Sequence, residues 1–101
     1  MTDDDIRELS AKLYGNAQRL HVAAAIGRLE GKPINVKVVA EESGLDVSRV
    51  QEQIAWFRNA GVLVPEFDSS SRTKDHRPVA ISYWRNAASL FAELEDADDL
   101  V

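Results

Sequence analysis

The stretch Val39-Ala40-Glu41-Glu42-Ser43-Gly44-Leu45-Asp46-Val47-Ser48-Arg49-Val50-Gln51-Glu52-Gln53-Ile54-Ala55-Trp56-Phe57-Arg58-Asn59-Ala60-Gly61-Val62-Leu63 decides the fold. Val36, Val39 and Ala40 make one face of a short helix that Asn35 can cap and Ser43-Gly44 closes. Gly44 supplies the positive-φ turn, and Leu45 plugs the corner behind it. Asp46 or Ser48 can cap a second helix running to Ala60, with Val47, Val50, Ile54 and Phe57 as its inner stripe and Gly61 as its stop. Two helices joined by a short turn containing glycine have helix-turn-helix spacing.

Upstream, the carboxylates of Asp3–Asp5 suit a helix N-terminus, and Ile6, Leu9 and Leu13 keep helical spacing with Tyr14 beside them. Gly15-Asn16 is a break. A second helix runs from about Ala17 to Glu30, striped by Leu20, Ala23, Ile26 and Leu29, with Ala24 and Ala25 allowing close packing. Gly31-Lys32-Pro33 ends it. Downstream of Gly61 the period becomes strand-like. Val62–Phe67 reads as a strand with Pro65 at an edge, Asp68–Arg77 as a polar turn, and Pro78–Trp84 as the returning strand. A last helix, about Asn86 to Asp96, carries Ala87, Leu90, Phe91 and Leu94 on one side. The expected architecture is mainly α with a small β-hairpin, in the order α-α-α-α-β-β-α, as one domain over residues 1–101.

Composition narrows the function classes. The chain has no cysteine, which excludes disulfides, thiolate metal sites and a cysteine nucleophile and favours a reducing cytoplasm. Met1-Thr2-Asp3-Asp4-Asp5 has neither the basic nor the apolar part of a secretory signal, and the apolar run Val22–Ile26 is too short to cross a bilayer. The net charge is −5, but residues 1–8 contribute −3 and residues 92–101 contribute −5, leaving the middle at +3. Acidic ends either keep a small protein soluble or hold its extremities away from phosphates. No phosphate loop, nucleophile elbow or metal-ligand pair at helical spacing is present, so no enzyme and no cofactor are expected.

The helix-turn-helix stretch resembles the winged helix-turn-helix regulators, most closely the ArsR-like family of small bacterial repressors, with the MarR-like proteins sharing the same core. Leu13-Tyr14-Gly15-Asn16-Ala17-Gln18-Arg19-Leu20 looks like that family's lead into its second helix, where an Arg-Leu pair is typical. The hairpin between Val62 and Trp84 looks like the wing, and the last helix like the family's dimerisation helix. The resemblance implies a homodimeric repressor of double-stranded DNA, paired through Ile6, Leu9, Leu13, Leu90, Phe91 and Leu94, and open to an effector. Metal sensors of that family use cysteine or histidine sets. Here His21 and His76 stand alone in different elements, so no metal site is expected; His21 reads as a surface or interface residue and His76 as a solvated wing residue.

Helical geometry names the DNA-reading candidates. At about 100° per residue, Arg49, Glu52, Gln53 and Trp56 share one side of the second helix, flanked by Ser48 and Gln51. Arginine and glutamine can contact guanine and adenine edges, and Glu52 can accept from a cytosine amino group although it repels phosphate. Arg72, Lys74 and Arg77 make the hairpin the most basic local element and suit backbone contact. The competing reading is a winged-helix protein-interaction module without DNA binding, favoured by Glu52, Trp56 and the acid balance.

Overall fold

The computed structural model describes residues 1–66 and 75–97. Within them lie five helices and one hairpin: α1 (Asp3–Tyr14), α2 (Arg19–Arg28), α3 (Val36–Ser43), α4 (Val47–Asn59), β1 (Leu63–Pro65), β2 (His76–Pro78) and α5 (Ile81–Asp96).

Local chemistry sets the helix ends. Thr2 and Asp5 form a reciprocal capping box at the start of α1, and those bonds hold the Asp5 carboxyl below the usual carboxylate range. Asn35 caps α3 through the backbone N–H of Val38, and Asp46 caps α4 through that of Arg49. Gly44, at φ 73°, makes the left-handed turn between them. Ser10 is fully buried and staples α1 to α2: its hydroxyl donates to the Asn16 carbonyl (2.7 Å) and accepts from the Leu20 N–H (3.0 Å).

The central helix is α2. Leu20, Val22, Ala23, Ala24, Ala25 and Ile26 are all buried, as expected of a helix surrounded by its neighbours. α5 lies along it, and Gly27, having no side chain, lets the Trp84 carbonyl of α5 come close. α3 and α4 pack on the other side through Val39, Leu45, Val50, Ile54 and Phe57. The hairpin is antiparallel, pairing Leu63 with Pro78, Val64 with Arg77 and Pro65 with His76. A further bridge joins His76 to Ile34, ahead of α3, through the His76 N–H and the Ile34 carbonyl (2.7 Å).

Four expectations change. The returning strand ends at Pro78, and Ile81–Trp84 open α5 instead of extending the hairpin. Their β-branched and aromatic character suits a strand, but Trp84, Ala87 and Phe91 keep helical spacing and bury against the core, and that burial decides. Val47, placed on the inner stripe, is 54% exposed in the first turn of α4. His21 is buried rather than superficial, with Nε2 at 2.8 Å from Asp3 Oδ1 and its ring edge-on to Phe91. His76 is likewise buried, with neither ring nitrogen hydrogen-bonded.

α5 starts from Ala80, whose φ of 54° is left-handed. A Cβ there costs about 1–2 kcal/mol. Ala80 is exposed, so its methyl adds little packing. Ala80→Gly is expected to stabilise the fold by about 0.5–1 kcal/mol after the added entropy of an unfolded glycine is subtracted, read as a higher urea midpoint at unchanged slope.

Candidate nucleic-acid interface

The exposed side of α4 begins at its cap. Asp46 accepts from the Arg49 N–H (2.9 Å) and from the Ser48 hydroxyl (3.0 Å), and its Oδ2 lies 3.6 Å from Arg49 Nε. The backbone N–H of Arg49, then the Ser48 hydroxyl, then the Arg49 charge hold the Asp46 carboxyl below the usual range. Sequence reasoning gave Asp46 only a capping role. It also sits beside the Arg49 guanidinium and accepts from the Ser48 hydroxyl. Gln51 and Glu52 follow, both exposed, so Ser48, Arg49, Gln51 and Glu52 share a solvent-facing surface.

Gln53 does not join them. It is 1% exposed, and Arg19 Nε donates to its Oε1 (3.1 Å). It lies between Val50 and Ile54 on one side and Glu52 on the other, where a wheel can assign it either way. The unforeseen partner on α2 draws it inward, because a buried amide needs one. Trp56, 46% exposed, carries the Arg19 guanidinium 3.7 Å from its ring centroid. Arg58, in the last turn of α4, is exposed and basic, and the sequence reading passed over it.

On the hairpin, Arg77 is exposed, with Nε 3.8 Å from Glu66 Oε1. Arg72 and Lys74 lie outside the described residues. Of the six residues expected to pair protomers, Ile6 (1% exposed) and Phe91 (9%) belong to this chain's own core. α1 and α5 bury their stripes against α2 first, and only the edges remain: Leu13 is 59% exposed, and Leu9, Leu90 and Leu94 are half-buried. Among the described residues no group of three or more His, Asp or Glu side chains could hold a metal ion, and no helix is long and apolar enough to cross a membrane.

Five helices with a helix-turn-helix pair and a hairpin before the last helix match solved structures. MepR, a transcription regulator of the Staphylococcus aureus multidrug efflux pump MepA, superimposes with a TM-score of 0.66 over 94% of this chain and 71% of its own, at 11% identity. The fold is a winged helix-turn-helix. A predicted DNA-binding transcriptional regulator from E. coli shares this winged-helix frame with a TM-score of 0.53, over 89% of this chain and 86% of its own, at 16% identity. No protein-family model matches the sequence, and no curated protein matches it. In winged-helix terms, α3 and α4 are the helix-turn-helix, α4 is its second helix, and β1–β2 is the wing.

Proposed function

We propose that this chain is a dimeric, sequence-specific DNA-binding transcription regulator of the cytoplasm that represses by occupying promoter DNA. The observation that carries this reading is the polar surface at the start of α4: Ser48, Arg49, Gln51 and Glu52 stand exposed on a helix whose other side is fixed in the core. That is the part of a helix-turn-helix that meets base edges. The likeness to two winged-helix proteins described as transcription regulators supports it. The ArsR-like resemblance of residues 13–20 and 39–63 favours a homodimer and repression. Arg49 and Gln51 read base edges with Ser48, Glu52 accepts from a cytosine amino group, and Arg77, with Arg72 and Lys74, holds the backbone. The dimer seam runs over Leu13 and the exposed edges of Leu9, Leu90 and Leu94, placing two α4 helices about 34–36 Å apart. A monomer in sedimentation at micromolar concentration would remove the dimer from this scheme.

The test is a salt titration on a duplex selected by the protein from a random pool and on a scrambled duplex. Arg49→Ala is expected to cost about 1–3 kcal/mol on the selected duplex and relax preference at one base pair. Arg77→Ala is expected to weaken both duplexes alike and make the salt slope shallower by about one. Glu52→Gln separates its two roles. A cytosine reader loses selected-duplex affinity, whereas a mere phosphate repeller gains on both. One observation favours the protein-interaction module instead: Asp46 and Glu66 already sit beside Arg49 and Arg77 in a chain of net charge −5. Absence of salt-dependent binding to any duplex would move the assignment to that module.

A further inference from the structure

Arg19 opens α2 and joins three elements. Its Nη1 donates to the carbonyl of Tyr14, the last residue of α1 (2.6 Å). Its Nε donates to Gln53 Oε1 on α4 (3.1 Å), and its guanidinium lies 3.7 Å from the Trp56 ring centroid, also on α4. Gln53 and Trp56 are three residues apart, so both sit on one flank of the helix. Arg19 therefore grips α4 at two points while anchored to the end of α1.

We infer that Arg19 is a positioning residue that sets the roll of α4, and through it the base preference, without touching the bases itself. The inference rests on the DNA-binding reading for its functional half. Ile54, Val50 and Phe57 seat α4 through apolar contacts, which are non-directional. The Arg19 fork is directional, because a planar guanidinium must meet the Gln53 oxygen in its plane and the Trp56 ring with its face. At the roughly 5–6 Å radius of a helix with its side chains, a roll of about 20° carries Arg49 and Gln51 tips some 2 Å, which is enough to break a hydrogen bond. Lysine cannot replace the fork: it keeps the charge, but its donors rotate about a compact ammonium with no planar face to lay on the Trp56 ring.

The experiment uses the full chain as wild type, Arg19→Lys and Gln53→Leu, each checked by circular dichroism. Acrylamide quenching of tryptophan fluorescence reads the α4 flank directly, because Trp84 is 2% exposed and Trp56 is 46% exposed. Binding is measured on a duplex selected from a random pool by the wild-type protein and on its scrambled counterpart. Arg19→Lys is expected to raise Trp56 quenching and to cut the selected-over-scrambled preference about tenfold or more, with scrambled-duplex affinity and its salt slope unchanged. Gln53→Leu, which frees the Arg19 Nε but keeps a filled core, is expected to lower preference in the same direction. Unchanged quenching with unchanged preference in Arg19→Lys would overturn the inference. So would an equal loss on both duplexes with a salt slope shallower by about one, which makes Arg19 a phosphate contact. Should selection by the wild type enrich no duplex, the DNA-binding reading falls separately. The quenching arm then decides alone, and an undisturbed Trp56 defeats the positioning role.

Discussion

Gly27→Ala is expected to destabilise the protein by several kcal/mol, against the direction that helix propensity gives. In an exposed helix this substitution stabilises by about 1 kcal/mol. Here a Cβ at position 27 would lie 2.2 Å from the Trp84 carbonyl oxygen, 2.9 Å from its carbonyl carbon and 3.0 Å from the Ala88 Cβ. Two of those atoms are backbone of α5, so no rotamer change relieves the clash and the helices must part. α5 carries Trp84, Ala87 and Phe91 into the core, and lifting it uncovers all three. A cost above about 4 kcal/mol is expected, a large share of the about 5–15 kcal/mol that holds a domain folded. Urea unfolding followed by circular dichroism checks it. A midpoint equal to or above wild type would mean that α2 and α5 do not meet at Gly27.

Phe57→Ala is expected to cost about 3–5 kcal/mol. Phe57 is fully buried at the junction of α4, β1 and α5. Its ring meets Trp84 edge-on at 4.9 Å, Trp56 at 5.3 Å and Tyr83 at 6.2 Å. Truncation leaves a cavity among large flat side chains that cannot collapse to fill it, and it removes edge-to-face attraction of about 0.5–1.5 kcal/mol per pair. A lower urea midpoint at unchanged slope is the expected reading. Phe57→Leu keeps most of the volume and is expected to fall between the two.

Most of the frame was legible because it is written in local chemistry. Asn35, Gly44 and Asp46 cap and turn the helix-turn-helix where their types require, and Val50, Ile54 and Phe57 fall on the buried face that spacing assigns. What escaped depends on partners distant in sequence. Gln53 reads as a surface residue until Arg19, 34 positions earlier, is known to reach it. His21 reads as a surface or interface residue until α1 folds back and sets Asp3 against it. Ile81–Trp84 reads as strand until α2 offers a groove at Gly27. The family resemblance places Ile6 and Phe91 against a second protomer, yet their own chain covers them. At the candidate site Ser48, Arg49, Gln51 and Glu52 were legible for the converse reason: an exposed face needs no partner to define it.

The bond from the His76 N–H to the Ile34 carbonyl makes the base of the wing a continuation of the segment that leads into α3. A second bond, from Asn35 Nδ2 to Asp75 Oδ1 (3.0 Å), repeats the attachment one residue along each strand. The base of the wing is therefore tied to the helix-turn-helix at two points. Under the proposed function, that tie resists independent movement of helix and wing, and favours a duplex that bends to meet both. The deformation energy then depends on base steps lying between the helix and wing contacts, and flexible pyrimidine–purine steps there are favoured although no side chain reaches them. Part of the protein's sequence preference would in that way be stored in stiffness, at positions where a contact map shows nothing.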